Sequence, residues 1–173
     1  MLLAMRKTWI TLLIGSLFFV GGDMVMAGVS SASGKVLEPA MLLSQEEAKV
    51  LTGVSFEACT VKEQSVVGLK LCVYEKDGVL LQIGVTQVAF MNKKSREGGT
   101  TPQSIYLAIK GAFKDAARID GVGDDNFIAP GGLHILKDGY YLTVSLGSLS
   151  KDKAKLQAVG RRVVENLGKH SKE

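Results

Sequence analysis

Two ten-residue stretches, Lys76 to Val85 and Lys137 to Leu146, align without gaps at an offset of 61 residues, and each places Asp-Gly between two apolar runs. Asp-Gly is a hairpin signal, because a two-residue type I′ turn needs positive φ at both central positions. A chain with two such hairpins has to build antiparallel sheet.

The neighbouring runs extend each hairpin. Phe56 to Lys62, Leu69 to Lys76 and Val79 to Val88 predict one meander. Arg118 to Gly121, Asn126 to Ala129, Leu133 to Lys137 and Tyr140 to Leu146 predict a second group of strands. Ser44-Gln45-Glu46-Glu47 is a capping box for a helix that ends at Gly53. Thr101 caps a second helix with Pro102 at its first position and Ile105, Ile109, Phe113 and Ala116 along one face. A third begins at Ser150, with Leu156, Val159, Val163 and Leu167 inward and Gly168 after its end. Asn92 to Thr101 between the halves is polar and reads as an exposed, mobile loop.

The expected fold class is α+β. Two tandem helix-plus-antiparallel-meander units, about 41–90 and 101–147, share one core in a single domain, 41–168, closed by the helix 150–167 and followed by a tail, 169–173. Two hairpins with Asp-Gly turns also look alike by turn chemistry alone. The helices that precede them, at nearly the same offset, favour duplication.

If the turns are two residues long, Cys72 and Tyr74 share a face with Leu81, Ile83 and Val85, and Leu133 and Ile135 with Leu142, Val144 and Leu146. These form the core face. The opposite face carries Leu71, Val73, Leu80, Gln82, Gly84 and Thr86 in one unit and His134, Leu136, Tyr141, Thr143 and Ser145 in the other. It is half apolar, so either helices cover part of it or it is an interaction surface.

Residues 1–27 read as a removable export signal: a basic start at Arg6 and Lys7, an apolar stretch from Trp9 to Val20, and Val25-Met26-Ala27 at the cleavage point. The alternative, a retained anchor, would take Asp23 into the apolar span at a cost of roughly 2.5–3.5 kcal/mol. No cysteine stands at the cleavage point, which argues against a lipid anchor. Residues 28–40 then read as a flexible leader rich in Ser, Gly and Ala. Cleavage removes two of 21 basic and one of 17 acidic residues and leaves a surplus of +3. Without a clustered basic face, that surplus argues against nucleic acid as a partner.

Cys59 and Cys72 are the only cysteines and fall on strands expected to be neighbours. Export and an even count predict a disulfide, while a metal or redox pair would want close Cys-x-x-Cys spacing or nearby histidines. The remaining candidates for chemistry are weaker. Asp120, Asp124, Asp125 and Asn126 form an oxygen-rich loop whose spacing does not match an EF-hand, since the late Glu would fall on Gly131. Gly121-Val122-Gly123 fails as a dinucleotide fingerprint, because Asn126 stands at the sixth position. No metal and no cofactor is expected. His134 and His170 are the only histidines, and neither has a carboxylate or nucleophile close in sequence.

Cys59, Cys72-Val73-Tyr74, the Gly121-to-Asp125 stretch, the Lys-Asp-Gly hairpin and the closing helix together resemble a broad group of small exported bacterial proteins, many of them lipoproteins, of unknown function. The resemblance covers roughly Leu42 to Leu167 and implies an envelope α+β domain without transferring an active site. The two-unit arrangement is also similar to the secreted β-lactamase inhibitor proteins and to small outer-membrane assembly lipoproteins, both binders.

The expected function is an exported, non-catalytic binding or accessory module of the bacterial envelope, periplasmic or secreted. Its partner would be an envelope or extracellular protein or a small apolar ligand, with membrane contact only through an uncleaved signal. Its site would be Leu80, His134 and Tyr141, rimmed by Lys93, Lys94 and Arg96. The alternative is a small-ligand carrier or hydrolase that uses His134 with Asp124 and Asp125.

Overall fold

The computed structural model describes residues 35–171; the export segment and residues 28–34 of the leader lie outside them. The fold is α+β. Six strands, β1 (Thr60–Gln64), β2 (Leu69–Lys76), β3 (Val79–Thr86), β4 (Asp125–Ala129), β5 (Gly132–Lys137) and β6 (Tyr140–Ser145), form one antiparallel sheet in the order β1-β2-β3-β6-β5-β4. Both Asp-Gly turns adopt the positive φ they encode, at Asp77 (49°), Gly78 (76°), Asp138 (48°) and Gly139 (78°). Each turn is two residues long, so Lys76 pairs with Val79 and Lys137 with Tyr140, which fixes both registers as the alternation requires.

The meanders join through β3 and β6, where Ile83 pairs with Val144. The inner face carries Cys72, Tyr74, Leu81, Ile83 and Val85 together with Leu133, Ile135, Leu142 and Val144, all buried. Three helices cover it: α1 (Pro39–Leu42), α2 (Gln45–Thr52) and α5 (Lys153–His170). The Ser44–Glu47 capping box starts α2 and left-handed Gly53 ends it. Leu156, Val159, Val163 and Leu167 of α5 are fully buried, as their spacing predicts. Asn166 donates from Nδ2 to the Leu42 carbonyl (3.2 Å) and to Glu47, tying α5 to α1 and α2.

Several local expectations change, among them the first strand, which begins at Thr60 instead of Phe56. The folded part begins before Met41, because the Leu37 amide donates to Gln87 Oε1 and its carbonyl accepts from Gln87 Nε2, both at 2.8 Å. Glu38 in the same segment pairs with buried Lys70, which also meets Glu63 at 2.9 Å and lies over the Phe90 ring. The polar loop contains a one-turn helix, α3 (Lys93–Glu97), whose cap Asn92 accepts from the Ser95 amide. Residues 118–121 form a loop instead of a strand, and α5 starts after Asp152 and runs through Gly168 to His170.

The largest difference concerns α4 (Pro102–Ala112). Thr101 and Pro102 start it as expected, yet it does not join the core that α2 shares. It packs on the opposite side of the sheet, against β5 and β6. The buried stripe is also displaced from the expected one: Tyr106 is fully buried, with Ile105 and Ile109 beside it, while Phe113 is exposed.

Candidate functional site

The outer face divides into two halves with different fates. On the β4–β6 half, Tyr106 stands between Phe127 (5.3 Å between ring centroids) and Tyr141 (5.7 Å). His134 lies flat on Phe127, 4.6 Å away with the ring planes 2° apart. Its Nδ1 is 2.7 Å from the Tyr141 hydroxyl. α4 closes over this group to make a second, aromatic core.

The electrostatics keep both partners of that contact neutral. Burial pushes Tyr141 up to about 12. Burial likewise pushes His134 below its ordinary value, against the nearby Pro130 carbonyl, which favours the charged form. Two neutral arrangements satisfy this contact: the Tyr141 hydroxyl donates to a bare Nδ1, or Nδ1–H donates to the hydroxyl oxygen. Nε2 is buried and makes no hydrogen bond of good geometry among the described residues. Tyr106 is raised well above the usual tyrosine range, first by burial and then by Asp125 beside it.

The structure does not join His134 to either aspartate. Asp124 accepts from Lys137 Nζ at 2.8 Å and from the Asp138 amide at 3.0 Å, so it braces the β5–β6 turn. Asp125 is held by Lys110 of α4 and by Arg118 at 2.9 Å. Burial raises both carboxyls, but these hydrogen bonds outweigh it and hold them below the usual range. The glycine loop before them owes its shape to Asn126. That buried amide accepts from the Ile119 N–H (2.8 Å) and donates to the carbonyls of Ile119 (2.9 Å) and Val122 (2.7 Å). No group of three or more metal-ligating side chains occurs among the described residues.

The residues expected to form one surface thus fall in three places. His134 and Tyr141 lie beneath α4, and Tyr141 is only 5% exposed. Lys93, Lys94 and Arg96 lie on α3, which is joined to the β1–β2 loop through the Asn92 amide and Ser65 carbonyl (2.8 Å). Leu80 sits at the other end of the sheet, next to the Asp77-Gly78 turn, a full strand length away. The sequence signal for the cover was Tyr106, one residue beyond Ile105 and opposite two strands of aromatic side chains.

What remains open is the β1–β3 half. Leu69, Leu71, Val73 and Leu80 stand there side by side and half-buried, with Thr60 and Lys62 on β1, Glu75 on β2 and Gln82 on β3. α4, the helix on this side of the sheet, packs on β5 and β6 and not on this half, where the short 3₁₀ turn Gly147–Lys151 after β6 lies beside Leu80. A cleft of about 340 Å³ opens on this half, lined by Thr60, Lys62, Val73 and Glu75 and by the segment around Glu57 and Ala58. Cys59 at the start of β1 is joined to Cys72 on β2 by a disulfide, which fastens the edge strand that borders the cleft.

No protein-family model, no curated protein and no solved structure matches this chain.

Proposed function

We propose that this protein is an exported, non-catalytic binding module of the bacterial cell envelope that docks a partner on the open β1–β3 half of its outer sheet face. The observation that carries the reading is the contrast between two halves of one face. The half under α4 has its own aromatic core, whereas Leu69, Leu71, Val73 and Leu80 line the other half, which α4 does not reach. Soluble domains rarely leave adjacent apolar side chains uncovered without a use. The disulfide fits an oxidising compartment, and residues 1–27 have the pattern of a cleavable export signal. The same reading takes the two meanders as copies of one unit, which the pairing of Ile83 with Val144 supports and the placement of α2 and α4 does not.

The carrier or hydrolase alternative has less behind it, because His134 is engaged by Tyr141 and both aspartates by cations. Two measurements test the proposal. The mass of the protein from its own cell envelope should correspond to a chain that begins at Gly28, and a mass that still includes residues 1–27 would replace cleavage by the retained anchor. Leu71→Glu and Leu80→Glu should each abolish partner binding in a chain that keeps its native circular dichroism spectrum. Undiminished binding by both variants would remove the docking face.

A further inference from the structure

The strand pairing makes positions on the open half equivalent to positions that α4 covers. Leu80 corresponds to Tyr141, Val73 to His134 and Gln82 to Thr143 at the offset of 61 residues. Thr60 corresponds to Phe127, since Thr60 pairs with Val73 as Phe127 pairs with His134. On the covered half Phe127 and Tyr141 hold the aromatic ring of Tyr106, and His134 stacks on Phe127 between them. On the open half these positions carry Thr60, Val73 and Leu80, which are smaller, and a cleft of about 340 Å³ with a largely charged rim borders Thr60 and Val73. Helix α2 precedes the first meander as α4 precedes the second, but it packs on the inner side against α5. The seat equivalent to that of α4 is therefore not taken by α2, the helix that precedes this meander.

We infer that this seat takes an amphipathic α-helix of a partner protein, laid across β2 and β3 as α4 is laid across β5 and β6, with one aromatic side chain anchored between Thr60, Val73 and Leu80. The inference rests on the binding-module reading and narrows the partner to a helix. Recognition of this kind uses anchors at three-, four- and seven-residue spacing on one helical face. The rim supplies orientation. Lys62 on β1 and Glu75 on β2 are exposed on either side of Val73, and neither makes an ion pair among the described residues. A helix with an acidic residue toward β1 and a basic one toward the Asp77 turn satisfies both. Around the cleft Glu57, Glu75 and Asp77 outnumber Lys62 and Lys76, and Lys76 is shared between Glu57 and Asp77, so the rim lacks the basic cluster that an anionic lipid surface needs.

Benzoylphenylalanine introduced at Val73 or Leu80 of the full chain, and at Val50 on α2 as a second exposed position, tests this when the producing cells are irradiated. Positions 73 and 80 should give adducts to one protein, mapped by mass spectrometry to residues spaced three, four or seven apart. Leu71→Glu in the same chain should lower the yield by about tenfold or more, as for loss of a buried anchor. The exposed Lys62→Glu should lower it several-fold with no risk to folding. Adducts to lipid, to a second copy of this chain, or to residues spaced by two would overturn the helix and keep the docking face. Adducts at Val50 alone would overturn the seat and move the binding surface elsewhere. No adduct at any of the three positions would overturn both the inference and the binding-module reading.

Discussion

Ile83 lies directly opposite Val144 across the β3–β6 pair, and the two residues are counterparts at the 61-residue offset. Residues to either side pair symmetrically about them, Gln82 with Ser145 and Gly84 with Thr143, so the strand pairing has a local two-fold relation centred on this contact. Both side chains are fully buried on the inner face, which places the centre of the relation in the core that α5 covers. The relation weakens outward. The β1–β2 arm reaches to the Gln64–Leu69 pair, whereas the β4–β5 arm closes earlier at Ala129–Gly132, and the helices depart from it altogether.

Acid should loosen the aromatic core. The folded-state pKa of His134 lies below the ordinary 6.5 because the ring is buried, so the unfolded chain binds a proton that the folded chain does not as pH falls through that value. Stability is fully present above pH 6.5 and declines as pH drops toward the folded pKa. Urea unfolding followed from about pH 8 to about pH 5 should show this decline. It should be smaller in His134→Phe, which keeps a flat ring over Phe127. Equal declines in the two proteins would place the sensitivity elsewhere.

Asn126→Ala should destabilise the protein by about 3 kcal/mol, because it strips partners from a buried amide and two carbonyls at once. The loss should appear first as faster hydrogen exchange at Ile119, whose amide donates to the Asn126 side chain. A cost below about 1 kcal/mol would mean that water replaces these bonds readily.

Removing the disulfide through the Cys59→Ala, Cys72→Ala pair should cost about 3 kcal/mol in the chain-entropy model, for a bridge closing 13 residues. The local signature should be stronger than the global one. β1 is an edge strand exposed along its whole length, so exchange should rise at Lys62 and Gln64, whose amides face β2, before it rises in β3.

The two glycines of α5 should respond oppositely. A methyl group at Gly168 meets nothing within 4 Å, and Gly168→Ala should stabilise the helix by about 1 kcal/mol. At Gly160 an added Cβ comes within 2.7 Å of Leu133 Cδ2 and 3.2 Å of Val122 Cγ1. Gly160→Val should therefore cost about 1–3 kcal/mol by overpacking. Thermal unfolding of the two variants beside the parent decides both.

Much of the fold was legible because its causes are local. The Asp77-Gly78 and Asp138-Gly139 turns, the Ser44 and Thr101 caps and the alternation along β2, β3, β5 and β6 are set by residues within a few positions of one another. Once a two-residue turn is fixed, pairing register and core face follow. The candidate site was less legible. Leu80, His134 and Tyr141 do occupy one face, as alternation requires, but only Leu80 stays on its open half.

The sequence by itself determined the two Asp-Gly hairpins and their register, the cysteine pair and the inward stripe of α5. Only the tertiary structure decided that α2 goes to the inner side and α4 to the outer. The physical reason is that an apolar stripe specifies burial without specifying a partner. The outer face of the β4–β6 half is apolar at Phe127, Leu136 and Tyr141 and so takes a helix stripe as the inner face does, with Tyr106 filling the space between Phe127 and Tyr141.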